Sequence, residues 1–140
     1  MTYEAVKLTQ AGITTPGRPI SFTIPNTISV EKGTIMKMSG AYTAGISSAI
    51  GDVFAGIANS AKVISDGSTT LGLDTCGVFD CYVTGGVVVG DYLEISGANI
   101  LRPMRVGVYS GASMVTGTFV GKALETSAAA DTIAVAVGVY

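Results

Sequence analysis

The sequence predicts an all-β protein, a small β-barrel or β-tulip-like domain of short antiparallel strands preceded by an extended N-terminal arm. Three observations predict it. Val, Ile, Thr and Tyr gather in short runs of roughly four to eight residues, the length of half-buried strands. Gly, Asn, Asp and Ser punctuate those runs, and 19 of the 140 residues are glycine. No long segment sets apolar residues at i, i+3, i+4 and i+7 between capping residues, so no long helix is expected.

Residues 1–27 read as the arm and an edge strand. They hold Pro16, Pro19 and Pro25, three of the four prolines, and proline-bounded strands belong at sheet edges or on extended arms. Ile20, Phe22 and Ile24 alternate within this stretch, which puts their side chains on one face of a strand. An arm of this kind can pair its backbone with a neighbour's open sheet edge. The same alternation also suits an ordinary first strand of the barrel. Ile20, Phe22 and Ile24 are the candidate contact residues, acting by strand pairing or by wedging into a groove.

Residues 28–140 read as the barrel domain. Strands are expected over residues 28–33, 34–39, 53–58, 69–74, 77–83, 91–95, 119–124 and 132–140, with turns at 65–68, 84–86 and 96–99. Residues 45–57 permit a short helix, although Gly51 favours a turn there. An internal echo links Phe54-Ala-Gly-Ile-Ala-Asn-Ser60 to Phe119-Val-Gly-Lys-Ala-Leu-Glu125, each followed by a polar turn and a β-run. It implies two similar hairpin units closing one barrel, short of a repeat array.

Charged residues make up only 13% of the chain and apolar residues 48%, with a mean hydropathy of +0.53. A surface this poor in charge is poorly protected against association, so partners or a membrane must cover it. The apolar runs fall short of the roughly 20 residues a spanning helix needs, and the first ten residues lack a signal-peptide pattern. A membrane barrel needs longer alternating segments and would put a terminal aromatic on the apolar face. Here Tyr140 falls opposite Ile133, Val135, Val137 and Val139. The net charge of −2 and eight scattered Lys and Arg residues give no footprint for nucleic acid.

Catalytic chemistry is missing from the pattern. The chain has no histidine, the commonest general base and metal ligand. Two cysteines without histidine do not make a zinc site. Cys76 and Cys81 are an odd number of residues apart, which points them to opposite faces of a regular strand and reads as buried reduced thiols. Asp74 with Asp80, and Asp91 with Glu94, could pair for glycosidase chemistry, but their positions beside turns read as a solvated face. Ser and Thr lack a base partner, and no phosphate loop precedes a helix. No enzyme, cofactor or metal is expected. Tyr42, Tyr82, Tyr92 and Tyr109 read first as packing residues, and second as a stacking face for sugars. Met36 and Met38 read as core or interface fillers.

From Ile28 to Tyr140 the chain resembles a family of small phage capsid decoration (cement) proteins. The segments that carry the resemblance are Glu31-Lys-Gly-Thr-Ile-Met36, Phe54-Ala-Gly-Ile-Ala58, Gly72-Leu-Asp-Thr-Cys-Gly-Val-Phe79, Val87-Val-Val-Gly-Asp-Tyr-Leu-Glu-Ile95 and Val120-Gly-Lys-Ala-Leu-Glu-Thr-Ser127. The stretch 101–117 is longer than the family pattern, and the arm has no counterpart in it. The resemblance implies a β-tulip or barrel, commonly a homotrimer, whose partner is the major capsid protein at threefold positions on the shell. It further implies residence on the virion surface after synthesis in the host cytoplasm. The rival expectation is a carbohydrate- or small-ligand-binding β-domain whose pocket the tyrosines line.

Overall fold

The computed structural model describes residues 4–9, 19–104 and 118–138. These residues form eleven strands and no α-helix: β1 (Val6–Thr9), β2 (Ile20–Thr23), β3 (Ile35–Gly40), β4 (Thr43–Ile46), β5 (Phe54–Ala58), β6 (Thr70–Asp74), β7 (Gly77–Val83), β8 (Tyr92–Gly97), β9 (Ile100–Pro103), β10 (Phe119–Ala123) and β11 (Asp131–Val137). The all-β fold is as the sequence predicts. The permitted helix is absent: its start is β4, and Asp52 then closes a turn by accepting from the Ser48 and Ala49 N–H groups at 2.8 and 2.9 Å.

The strands close into two rings where one barrel was expected. The first is the closed barrel β2-β4-β3-β5-β6. The second sheet runs β1-β7-β11-β10-β8-β9, and a further β7–β9 pairing joins β7 to β9, so five of its six strands also form a ring. Each ring is antiparallel except for one short parallel pair, β2 with β4 and β7 with β9. In chain order β2 to β6 therefore repeat as β7 to β11, with the same neighbours in the same sense. The anticipated boundary between residues 27 and 28 runs through the first barrel, because β2 pairs with β6 along its whole length.

The repeat extends to single hydrogen bonds. Val30 exchanges both backbone bonds with Lys62, and Val87 does the same with Ser127. Gly33 donates to the Ala58 carbonyl at 2.9 Å, and Gly90 to that of Ala123 at 2.8 Å. Both glycines turn the chain at φ of +91° and +93°, a region that residues with a Cβ rarely adopt. The hairpin residues Tyr42 and Asn99 share a left-handed φ of 49° and 60°.

The cores repeat too. A ring of five strands leaves an interior that side chains fill. The first barrel buries Phe22, Ile24, Val30, Met36, Ala44, Ala55, Ala58, Leu71 and Leu73 together. Their counterparts in order are Cys81, Val83, Val87, Leu93, Leu101, Val120, Ala123, Ile133 and Val135, all in the second cluster. That cluster has further members, including Ala5, Ile35 and Ile57, and Phe54 packs against it. Ile35 and Ile57 belong to first-barrel strands, so they mark the junction between the barrels. Burying each is worth about 2 kcal/mol. A polar latch seals the same junction: Asn99 Oδ1 accepts from the Ile35 N–H at 2.8 Å. Ser47 Oγ meets the Gly97 carbonyl and the Asn99 N–H, both at 3.3 Å.

The first strand of the arm packs on the second barrel of its own chain. β1 pairs antiparallel with the first half of β7 (Val6 opposite Asp80, Lys7 opposite Phe79). Just before it, the Ala5 N–H donates to the Gly33 carbonyl at 2.6 Å, which ties the arm to both barrels. Residues 10–18 of the expected arm lie outside the described residues.

Candidate functional site

Strand alternation does set Ile20, Phe22 and Ile24 on one face, and that face points into the first barrel. Phe22 is 6% exposed and Ile24 0%, so both are held within the core and present no side chain to a partner. Ile20 sits at the open end of the barrel and is 42% exposed. Of the three candidates it alone reaches the surface.

Beside Ile20 lies a strand edge left uncovered among the described residues. One side of β2 is filled by β6, from Ile20 opposite Leu73 to Thr23 opposite Thr70. On the other side only Thr23 pairs, with Thr43 of β4. The equivalent edge of β7 is the one that β1 covers, with Val78, Phe79 and Asp80 paired to the arm. Their counterparts are Pro19, Ile20 and Ser21, which no strand covers among the described residues. Among the described residues the same edge thus occurs twice, once occupied by an extended segment and once uncovered.

The acidic residues have structural partners. Asp74 and Glu94 are buried rather than on a solvated face. Asp74 accepts from Asn59 Nδ2 at 3.1 Å. Glu94 lies opposite Arg102 in the β8–β9 register and takes both the Arg102 Nε and Nη2 at 2.7 Å. Asp91 Oδ2 accepts from the Val88 N–H at 2.9 Å, closing a turn. Lys62, equally buried, reaches Asp66 Oδ1 and the carbonyls of Ile28 and Val63, each at 3.4 Å. Sequence reasoning missed the Glu94–Arg102 and Lys62–Asp66 pairs. The i, i+4 spacing of Lys62 and Asp66 was visible in the sequence, but only the Val30–Lys62 bridge explains why the lysine is buried.

Among the described residues, no group of three or more His, Cys, Asp or Glu side chains converges. Cys76 and Cys81 form no disulfide. Cys76 is half-buried, while Cys81 is sealed inside the second barrel. Burial, with the Asp80 carboxylate adding to it, pushes the Cys81 thiol up to about 12.

A cleft of about 210 Å³ lies between the arm and the two barrels, lined in part by Lys32, Asn59, Asp74 and Phe79. Another of about 280 Å³ is lined by Thr84, Gly85, Gly86, Arg102 and Pro103. The tyrosines line neither cleft. Tyr42 stands at the β3–β4 hairpin, tilted against Phe22 with ring centres 6.2 Å apart. Tyr92 meets Phe119 edge-on at 5.2 Å on the other barrel. Tyr109 lies outside the described residues. No family model and no curated protein matches the chain.

Proposed function

We propose that this protein is a structural component of a phage particle that binds the outside of an assembled capsid and stabilises it by bridging capsomers. It acts by passive binding, as a homo-oligomer, with the major capsid protein as partner. The observation that carries the reading is the β2 edge at residues 19–21, which no strand covers among the described residues, with Ile20 exposed beside it. Its counterpart on β7 already accepts an extended segment, so the edge has the geometry for strand addition from a shell protein. The sparse charge of the chain and the resemblance of residues 28–140 to decoration proteins support the same reading.

The test is co-sedimentation of the purified chain with shells of its own virus. Wild type is expected to pellet with the shells and raise their resistance to heat. Ile20→Asp should weaken binding at least tenfold, about 1.4 kcal/mol, with its own melting temperature little changed. Undiminished binding by Ile20→Asp would remove the β2 edge from the contact. Failure of the wild type to bind would remove the capsid reading itself. A ligand-dependent rise in melting temperature in a sugar screen would then favour the carbohydrate-binding alternative.

A further inference from the structure

We infer that the free end of the second barrel, around Tyr92 and Phe119, docks on the Tyr42 hairpin end of the first barrel in another copy of the chain. The contact would repeat between chains the junction that the two barrels make within one. The reasoning starts from the duplication. Two barrels with the same topology have matching surfaces, and the junction uses one face of each. Among the described residues, the matching faces are left uncovered.

Counterparts that differ in burial fall on those faces. On the docking face of the first barrel, Ile35 is 0% exposed under the second barrel, while its counterpart Tyr92 is 45% exposed. Ile57 is buried there, and its counterpart Lys122 is not. On the receiving face of the second barrel, Asn99 is 6% exposed, while its counterpart Tyr42 is 70% exposed. Ile95 is buried there, and its counterpart Met38 is exposed. The nine paired core positions, by contrast, are buried in both barrels.

The chemistry of the leftover faces fits a protein partner. The first free face carries Tyr92 packed on Phe119, and the second carries Tyr42 and Met38. Aromatic residues and methionine are enriched at protein interfaces. Tyrosine supplies large contact area for the loss of little conformational freedom. The two faces differ from each other, so the contact is heterologous: it propagates head to tail, and closes into a ring when the rotation per copy allows. Nothing in this inference rests on capsid binding.

The experiment is the mass of the full chain in solution, by sedimentation velocity from roughly 1 to 200 µM, for wild type, Tyr42→Glu and Tyr92→Glu. Wild type should exceed the 14.1 kDa monomer and each variant should be monomeric. Mixed in equal amounts, the two variants should form a dimer and nothing larger, because each retains the half-interface that the other lacks. Both residues are exposed, so folding should survive, checked by far-ultraviolet circular dichroism; Tyr42→Lys and Tyr92→Lys replace any variant that melts early. A wild type that stays monomeric overturns the proposal, as does normal association of either variant or a mixture that remains monomeric. Ile20 lies on the same strand as Phe22, which packs against Tyr42, so it is left unaltered here. The shell assay reads that residue separately, and either proposal can fail alone.

Discussion

At the scale of single residues, the two turn glycines separate backbone strain from packing. Gly33 and Gly90 share nearly the same positive φ, but a Cβ on Gly33 would collide with the Ala5 backbone, whereas one on Gly90 would meet open space. Gly90→Ala should therefore cost about 1 kcal/mol for strain alone. Gly33→Ala should cost more, about 2–3 kcal/mol, because it also pushes the arm away. Urea unfolding of both variants checks the ordering. The cysteines offer a second measurement. Native Cys81 should resist a thiol reagent that labels Cys76, and both should react in denaturant. Its raised value also sets a pH window. The folded state keeps the proton while the unfolded thiol loses it above 9.0, so stability should fall from pH 9 towards about 12, by about 1.4 kcal/mol per unit. Cys81→Ala should flatten that alkaline decline. The alternation of Ile20, Phe22 and Ile24 was legible in the sequence, because it follows from strand geometry. Their depth was not, because it depends on the closure of a barrel by strands far along the chain.

At the scale of elements, the turns of the first barrel carry its acid sensitivity. Partial burial raises the Asp52 carboxyl, but the Ser48 and Ala49 N–H groups and the Lys37 ammonium outweigh it and leave it below its usual 3.8. The Ser68 N–H leads the groups that lower Asp66, against a smaller opposing effect of burial. Both carboxylates favour the folded state above pH 3.8, and that contribution disappears as pH falls through their lowered values. Acid unfolding of Asp52→Asn and Asp66→Asn should show a weaker dependence on pH below 4 than wild type, with the loss centred on residues 48–52 and 63–68 in hydrogen exchange. Strands β3, β5, β6, β7, β8 and β10 were legible to within about two residues, and β11 to within about three, from β-branched runs and flanking turn residues. β4 and β9 were not. Each is only four residues long, follows a tight hairpin and holds a glycine or proline. The parallel pairs that close the rings left no local signal, because they join segments through the fold alone.

At the scale of the whole molecule, the echo between Phe54–Ala58 and Phe119–Ala123 was legible, since β5 and β10 occupy the same place in their barrels. Its meaning was misread as halves of one barrel. The number of strands that close a ring depends on pairing partners, which hydrophobic alternation does not specify. In the β-runs that follow the echo, the β-ladders set Leu73 in the place of Val135 and so Cys76 in that of Gly138. The core around the second barrel is the larger of the two, because it also gathers Ala5 from the arm and Ile35 and Ile57 from the first barrel.

The route taken by β1 has a consequence for how the chain is made. It leaves the ribosome before every other described strand, yet its partner β7 follows the whole of the first barrel. At roughly 5–20 residues per second, the wait is on the order of ten seconds. The first barrel has all its strands before β7 emerges, so it can close while the arm is still loose. Nascent chains crowded on one messenger therefore pass through an interval in which each carries an uncommitted strand beside its neighbours, and the order of synthesis decides whose β7 that strand meets first.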